Sequence, residues 1–325
     1  MKLSLPCKIL EAQYGYDKAF EKIKQAGFGA VDYDLGGMAQ GSDAIDHDGW
    51  MVRTRAVRES ADRCGLAIDQ IRVPKAPFVM QQHGERSYSR LMFSVWALEL
   101  GKILGAGVAV VAPLYRALDP MENSIVFKKN LEYYRMLIPY AKAYGIKLGI
   151  ESFSEEEIRT RGFMQKSDSV LPKAKRRTEI QTSEDAFLQE MPEFLRYVDM
   201  LDSEYVGVCL DLTHVDMSAY GLTQSKLIRD LGQERLLAVH LHDMEYRIGS
   251  RLYPYGGRLN PIEIARALGE VGFHGDIIFE LIGYDTSVRD QLLPFSMQTM
   301  AKKGNRMIET IERYRQKPHA GRPKP

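Results

Sequence analysis

Short apolar runs alternate with amphipathic segments along nearly the whole chain. Each apolar run has the length of a strand buried on both faces, and most are followed by apolar residues at helical spacing. We predict eight strands, at Lys2–Leu10, Ala30–Leu35, Ala67–Val73, Val108–Ala112, Ile146–Glu151, Tyr205–Leu210, Leu236–Leu241 and Asp276–Leu281. Eight strands with intervening helices in 325 residues favour an α/β fold of the (β/α)8 TIM barrel type over an open doubly wound sheet.

Two of the predicted helices have specific boundary signals. Asn260, Pro261 and Glu263 combine a capping side chain, a proline in the first helical position and an acidic residue in the first turn. Asp17 is predicted to cap an earlier helix, which Gly27 ends. No GxGxxG follows a predicted strand, which argues against a dinucleotide-binding fold.

One long stretch, residues 155–182, fits neither the helix nor the strand period. It is polar and contains a basic run from Lys173 to Arg177. We predict one barrel domain over residues 1–315, an inserted loop at 155–182 and a flexible basic tail at 316–325. A loop in that position would lie over the pocket as a lid or a subunit contact.

The composition is that of a folded globular protein, with 45% hydrophobic and 27% charged residues. The 44 basic and 43 acidic residues give a net charge of +1, so neither a nucleic acid nor a membrane is expected as a partner. Three widely spaced cysteines without a CxxC pair favour a reducing compartment. The N-terminus is too short in its apolar part for a secretory signal, and a cytoplasmic location is expected.

Four predicted strands end in a residue that can bind a metal. These are Glu151, Asp211, His240 and Glu280. In a barrel such residues meet at the carboxyl-terminal mouth, where four buried polar groups without a cation would leave like charges unpaired. A divalent ion resolves this problem, and the oxygen-rich set favours Mn²⁺, with Mg²⁺, Co²⁺ or Zn²⁺ as alternatives.

The motifs LGIES, VCLDLTH, VHLHD and IIFEL occur in this order and resemble those of the xylose-isomerase-like barrel superfamily. The resemblance implies that Glu151, Asp211, His240 and Glu280 bind one divalent metal and that His214 contacts substrate oxygens. His242 lies two residues after His240 and is the alternative ligand, because both would share one face of a regular strand.

Two further substrate contacts are candidates. Glu157 follows Glu151 at the spacing of a substrate-binding glutamate in ketose 3-epimerases, although a solvated acidic run is the simpler interpretation. Arg247 lies in a polar loop with Arg251 and Arg258 and could bind a phosphate or hydroxyl groups, although arginine is ordinarily exposed at the surface.

The function implied by the resemblance is that of a divalent-metal-dependent sugar or sugar phosphate isomerase or epimerase. In this mechanism Glu151 and Glu280 move a proton next to a carbonyl through a metal-stabilised enediolate. The alternative is a lyase that uses the same proton abstraction to eliminate a group, as inosose dehydratases and C-glycoside-cleaving relatives do. Product analysis separates the two reactions.

Two other classes fit less well. An abasic-site endonuclease of this superfamily needs histidines after early strands, where this chain has QIRVPKAP and VVAPLY. A non-catalytic binding protein would not need all four ligands. We therefore expect a small sugar or sugar derivative as the partner, in a homo-oligomer or with a partner subunit.

Overall fold

The computed structural model describes residues 1–39, 47–74, 78–79, 85–112, 115–116, 123–151, 191–212, 224–244, 251–252, 259–280 and 292–316. The predicted insertion at 155–182 and the tail beyond Gln316 lie outside these residues. Among the described helices, none combines the length and hydropathy that a membrane span requires.

The described strands form a closed, parallel eight-stranded barrel, which confirms the predicted fold class. Going round the barrel the order is β1, β8, β7, β6, β5, β4, β3 and β2, and every neighbouring pair is parallel. The strands are β1 Leu3–Pro6, β2 Ala30–Asp34, β3 Ala67–Arg72, β4 Val108–Val111, β5 Lys147–Glu151, β6 Val206–Asp211, β7 Leu236–Leu241 and β8 Ile277–Phe279.

Helices alternate with the strands in the described part of the chain. They are α1 Lys8–Tyr14, α2 Tyr16–Ala26, α3 His47–Cys64, α4 Glu85–Leu104, α5 Asn123–Tyr144, α6 Met191–Leu201, α7 Gln224–Arg235, α8 Pro261–Glu270 and α9 Leu293–Arg315. Two small two-stranded sheets supplement the barrel: Phe78–Val79 pairs with Tyr115–Arg116, and Asp243–Met244 pairs with Arg251–Leu252. The predicted cap of α8 is confirmed, since the side chain of Asn260 accepts a hydrogen bond from the backbone N of Glu263.

Two predicted boundaries near the N-terminus are wrong. The first strand ends at Pro6 instead of Leu10, because Leu10 is buried on α1 and not on a strand. Asp17 lies within the first turn of α2, whose N-cap is Gly15. The carboxylate of Asp17 instead accepts a hydrogen bond of 2.8 Å from Arg63 on α3.

Strand alternation sends apolar and polar side chains to opposite faces of the barrel wall. One set of alternate residues, which includes Leu5, Tyr33 and Val239, belongs to the main core between strands and helices. The other set faces the lumen, where the buried polar strand residues collect. Four apolar lumen residues form a separate small cluster below the strand ends: Val110, Cys209, Ala238 and Ile278. The upper lumen therefore presents a polar site above an apolar floor.

Helices α8 and α9 pack closely at Gly269. A Cβ atom at this position would lie 2.6 Å from both the backbone oxygen of Ile311 and the Cβ of Tyr314. We expect Gly269→Ala to lower the free energy of unfolding by about 1–3 kcal/mol, because the added methyl must push the α9 backbone away. Urea denaturation measures this loss. Gly29→Ala is the control, since its Cβ would meet nothing nearer than Lys2 Cβ at 3.6 Å, and an equal loss there would contradict the prediction.

The amino-terminal end of the barrel carries a pair of carboxyl groups around Lys2. The Lys2 backbone N donates to Asp276 Oδ1 at 2.7 Å, and Lys2 Nζ lies 2.8 Å from Asp69 Oδ2. Burial raises the pKa of Asp276, and the adjacent carboxyl of Asp69 raises it further, to about 7. At a pH between the ordinary pKa of an aspartate and this raised pKa, Asp276 keeps its proton in the folded protein but has lost it in the unfolded chain.

The titration of Asp276 is therefore expected to lower the free energy of unfolding as the pH rises toward 7. Asp276→Asn keeps the acceptor for Lys2 but removes this titration, so the variant should gain stability over wild type between pH 5 and pH 8. We expect a relative gain of about 1 kcal/mol, a value reduced because Asp276 is partly exposed. Parallel curves of unfolding free energy against pH would contradict the prediction.

Candidate metal centre

The predicted ligands come together where the barrel strands end. Glu151 and Asp211 are the last residues of β5 and β6, His240 is the penultimate residue of β7, and Glu280 directly follows β8. Neighbouring strand ends are held together by backbone hydrogen bonds of 3.1 Å, from Leu212 to His240 and from Glu280 to Leu241. Glu151, Asp211 and His240 are fully buried, and Glu280 is 8% exposed.

His242 is part of the same cluster, one position beyond the end of β7. Within the described part of the chain, two overlapping groups of three residues have ligand atoms that lie within 4.8 Å of one another. We call Glu151, Asp211 and His240 the inner triad, and Asp211, His242 and Glu280 the outer triad. Asp211 is common to both, so the carboxylate at the end of β6 is central to the site.

The distances are those of side chains that face a shared centre. In the inner part of the cluster, His240 Nδ1 lies 3.9 Å from Glu151 Oε1 and 3.4 Å from Glu280 Oε1. In the outer part, His242 Nδ1 lies 3.7 Å from Asp211 Oδ1 and 3.6 Å from Glu280 Oε2. Ligand atoms that share one ion at about 2.0–2.2 Å lie only slightly closer together than this.

Arg72, at the end of β3, is a site residue that the sequence analysis missed. Its Nη2 lies 2.5 Å from Glu280 Oε1 and 3.1 Å from His240 Nδ1, and its Nη1 lies 4.0 Å from Glu151 Oε1. Its Nε donates to Asp32, which is fully buried on β2. The available signal was its place at a strand end, but only metal-binding residue types were considered there.

Charge interactions in the cluster keep Arg72 and Glu280 ionised. Burial lowers the pKa of Arg72, but the carboxylates of Asp32, Glu280 and Glu151 outweigh it and hold that pKa well above its ordinary value. Burial likewise raises the pKa of Glu280, but the charge of Arg72, together with His240 and His242, outweighs it and holds that pKa well below its ordinary value. Glu280 is therefore a carboxylate in this site.

Gln70, also on β3, orients the ring of His240. Its amide nitrogen lies 2.9 Å from His240 Nε2, and within the described residues its Oε1 makes no hydrogen bond. Turning the amide by half a rotation would let Oε1 accept from Nε2–H, and such orientations are assigned from the hydrogen-bond network. Nδ1 of His240 then carries the lone pair, as its hydrogen bond from Arg72 requires.

The described lumen residues carry an excess of negative charge. Four carboxylates, those of Asp32, Glu151, Asp211 and Glu280, face one guanidinium at exposures between 0% and 14%. Buried charge of one sign is costly unless a cation balances it. A divalent ion matches this donor set of carboxylate oxygens and imidazole nitrogens in both charge and chemistry.

Three predicted substrate contacts, His214, Arg247 and Glu157, lie outside the described residues. Among the described residues, Asp32, Gln70 and Arg72 are polar residues of the site that the sequence analysis did not identify. Asp32 and Gln70 are polar residues inside predicted strands, whereas ligands were predicted only at the strand ends.

Several solved structures share this fold at low sequence identity. A xylose isomerase domain protein from Alicyclobacillus acidocaldarius subsp. acidocaldarius is 16% identical, with a TM-score of 0.69 over 95% of this chain and 98% of that one. A D-tagatose 3-epimerase-like protein is 18% identical, with a TM-score of 0.67 over 95% and 98%. The IOLI protein with a binding zinc atom is 15% identical, with a TM-score of 0.64 over 97% and 99%.

None of the curated proteins matches this sequence. The model of one protein family does match, over residues 20–311, which include the whole cluster of buried acids and histidines. The chain belongs to the xylose isomerase-like TIM barrel family.

Proposed function

We propose that this protein is a divalent-metal-dependent sugar or sugar phosphate isomerase or epimerase. One observation carries the proposal: three carboxylates and two imidazoles from four strands converge, almost completely buried, at the mouth of the barrel. Barrel enzymes place their chemistry at this end of the strands. The epimerase-like and zinc-binding neighbours of the same fold agree with it.

Glu151, Asp211, Glu280 and one imidazole would hold the ion, with His240 as the predicted histidine and His242 as the alternative. The oxygen-rich set favours Mn²⁺ over a structural zinc. A bound divalent ion would polarise neighbouring carbonyl and hydroxyl oxygens of a sugar and so acidify the C–H between them.

Glu151 and Glu280 are the residues proposed to move the proton. They project from β5 and β8, which are separated in the barrel by β6 and β7, so they approach a sugar at the mouth from different sides. Arg72 donates to Glu280 Oε1, so Oε2 is the oxygen of Glu280 proposed to exchange the proton. Two bases on two faces allow epimerisation, and one base acting on neighbouring carbons allows isomerisation.

Three further residues are proposed to contact the substrate and not the ion. His214, Arg247 and Glu157 are proposed to bind hydroxyl or phosphate oxygens of the sugar. Arg247 suits a phosphate best, because its planar guanidinium can bind two oxygens at once.

Solvent exchange tests the proposal across several classes of sugar at once. The purified protein is loaded with Mn²⁺ and incubated in D₂O with ketoses, inososes and sugar phosphates, and NMR follows deuterium at carbons next to the carbonyl. We expect exchange and a new epimer or isomer with at least one substrate, and loss of both after chelation or in Glu151→Gln. Loss of water or an aglycone would instead assign the lyase reaction, and no exchange with any substrate would contradict the proposal.

A further inference from the structure

Arg72 divides the candidate metal centre into two unequal parts. Its Nη2 contacts Glu280 Oε1 at 2.5 Å and His240 Nδ1 at 3.1 Å, and its Nη1 approaches Glu151 to 4.0 Å. We call the side of the cluster formed by these three atoms, Glu280 Oε1, His240 Nδ1 and Glu151 Oε1, the inner side. Glu280 Oε2 is on the outer side, 3.6 Å from His242.

The position of the guanidinium is fixed from below. Asp32 is fully buried and accepts a hydrogen bond from Arg72 Nε. This bond fixes the guanidinium so that Nη1 and Nη2 point toward the cluster. An arginine in such a pair keeps its charge at every pH at which the protein is folded. Arg72 is thus a permanent cation within the lumen.

A divalent ion and this guanidinium compete for the inner side. The hydrogen bonds from Arg72 engage the lone pairs of Glu280 Oε1 and His240 Nδ1 that an ion would need. The two cations would also repel each other strongly at contact distance in a buried site. The outer triad offers Asp211, His242 and the second oxygen of Glu280 away from Arg72.

We propose that Arg72 is a positioning residue that occupies the inner side of the cluster and directs a divalent ion to the outer triad. The inference rests on the proposed function only in requiring that the protein binds such an ion. It replaces His240 by His242 as the imidazole ligand and leaves Glu151 as a proton-moving residue outside the ligand set. His240 then has the task of holding Arg72 in place. It also means that Arg72 weakens the binding of the ion.

The test is a titration of the full-length, metal-free protein with Mn²⁺, followed by equilibrium dialysis, and with Co²⁺, followed by visible absorption. In the wild-type background we expect His242→Gln to weaken binding about 100-fold or more and to change the Co²⁺ spectrum, since a ligand is lost. His240→Gln is the matched control, with the same substitution two residues away, and should weaken binding less than about tenfold because it acts indirectly.

Arg72→Gln should bind Mn²⁺ at least about tenfold more tightly than wild type, because a competing buried charge is removed. A residue that only orients ligands would give weaker binding on removal, so the direction of the change separates the two roles. Without Arg72, His240→Gln is expected to weaken binding about tenfold or more, because the inner side becomes open to the ion.

Arg72→Gln/Asp32→Asn provides a second background in case the single variant does not fold, since it removes both charges of the pair together. Circular dichroism confirms the fold of each variant before titration. The inference alone is overturned if wild type binds Mn²⁺ but His240→Gln is the more damaging histidine variant, or if loss of Arg72 weakens binding. Mn²⁺ binding without any sugar turnover would overturn the proposed function alone, and no binding to wild type would overturn both.

Discussion

Asp211→Asn is expected to abolish divalent ion binding at micromolar concentrations and to lower kcat/KM by about a thousandfold, which is about 4 kcal/mol of transition-state stabilisation. Asp211 is the one carboxylate common to the inner and outer triads, so no arrangement of the ion spares it. Asparagine keeps the size of the side chain but removes its charge. Calorimetric titration with Mn²⁺ and the deuterium exchange assay measure the two effects.

The fold of Asp211→Asn should survive, because the substitution removes one negative charge from a buried, negatively charged cluster. Asp69→Asn is the control, since it makes the same chemical change on β3 near the opposite end of the barrel, beside Lys2. That variant should keep ion affinity and turnover within about twofold, as changes at this end of a barrel affect stability. Tight Mn²⁺ binding by Asp211→Asn would show that the ion is held elsewhere.

Arg72→Gln is expected to lower the free energy of unfolding of the metal-free protein by about 3 kcal/mol, because it leaves the buried carboxylate of Asp32 without its cation. This loss of stability includes the ion pair between Arg72 and Glu280, in which Nη2 lies 2.5 Å from Oε1. Chemical denaturation in the presence of a chelator measures this loss apart from any effect of the ion.

A double-mutant cycle with Asp32→Asn isolates the pair. Arg72→Gln/Asp32→Asn should recover about 2 kcal/mol of the loss, because neither charge is then left alone in the lumen. A matched cycle with Lys226 and Asp230, an exposed pair four residues apart on α7, should give a coupling below about 1 kcal/mol. Equal coupling in the two cycles would contradict the view that burial makes the Arg72 pair strong.

Much of the fold could be predicted from the chain alone, because local patterns carry the necessary information. The run at Leu236–Leu241 became β7 with the predicted bounds, and the capping signal at Asn260 marked the start of α8. The first strand was predicted to continue to Leu10 and instead ends at Pro6, because an apolar run does not show where a strand gives way to a helix. Tertiary packing places Leu10 on α1, against the core.

The ligand candidates could also be found from the sequence, since polar residues after buried strands are conspicuous. The choice between His240 and His242 could not be made this way, because both alternate onto the lumen face of the same strand. Their difference lies in what they meet: His240 faces Gln70 and Arg72 from β3, whereas His242 faces Asp211 and Glu280.

The sequence by itself determined the barrel, its strand ends and the residues at its mouth, because hydrophobic periodicity and strand-end chemistry are local properties of the chain. Only the tertiary structure decided that Arg72 lies among the carboxylates. Arg72 and Glu280 are 208 positions apart, and closure of the barrel is what brings them within 2.5 Å. No local sequence pattern shows that barrel closure will bring an arginine to these carboxylates. The balance of charge in the lumen can therefore be determined only from the folded barrel.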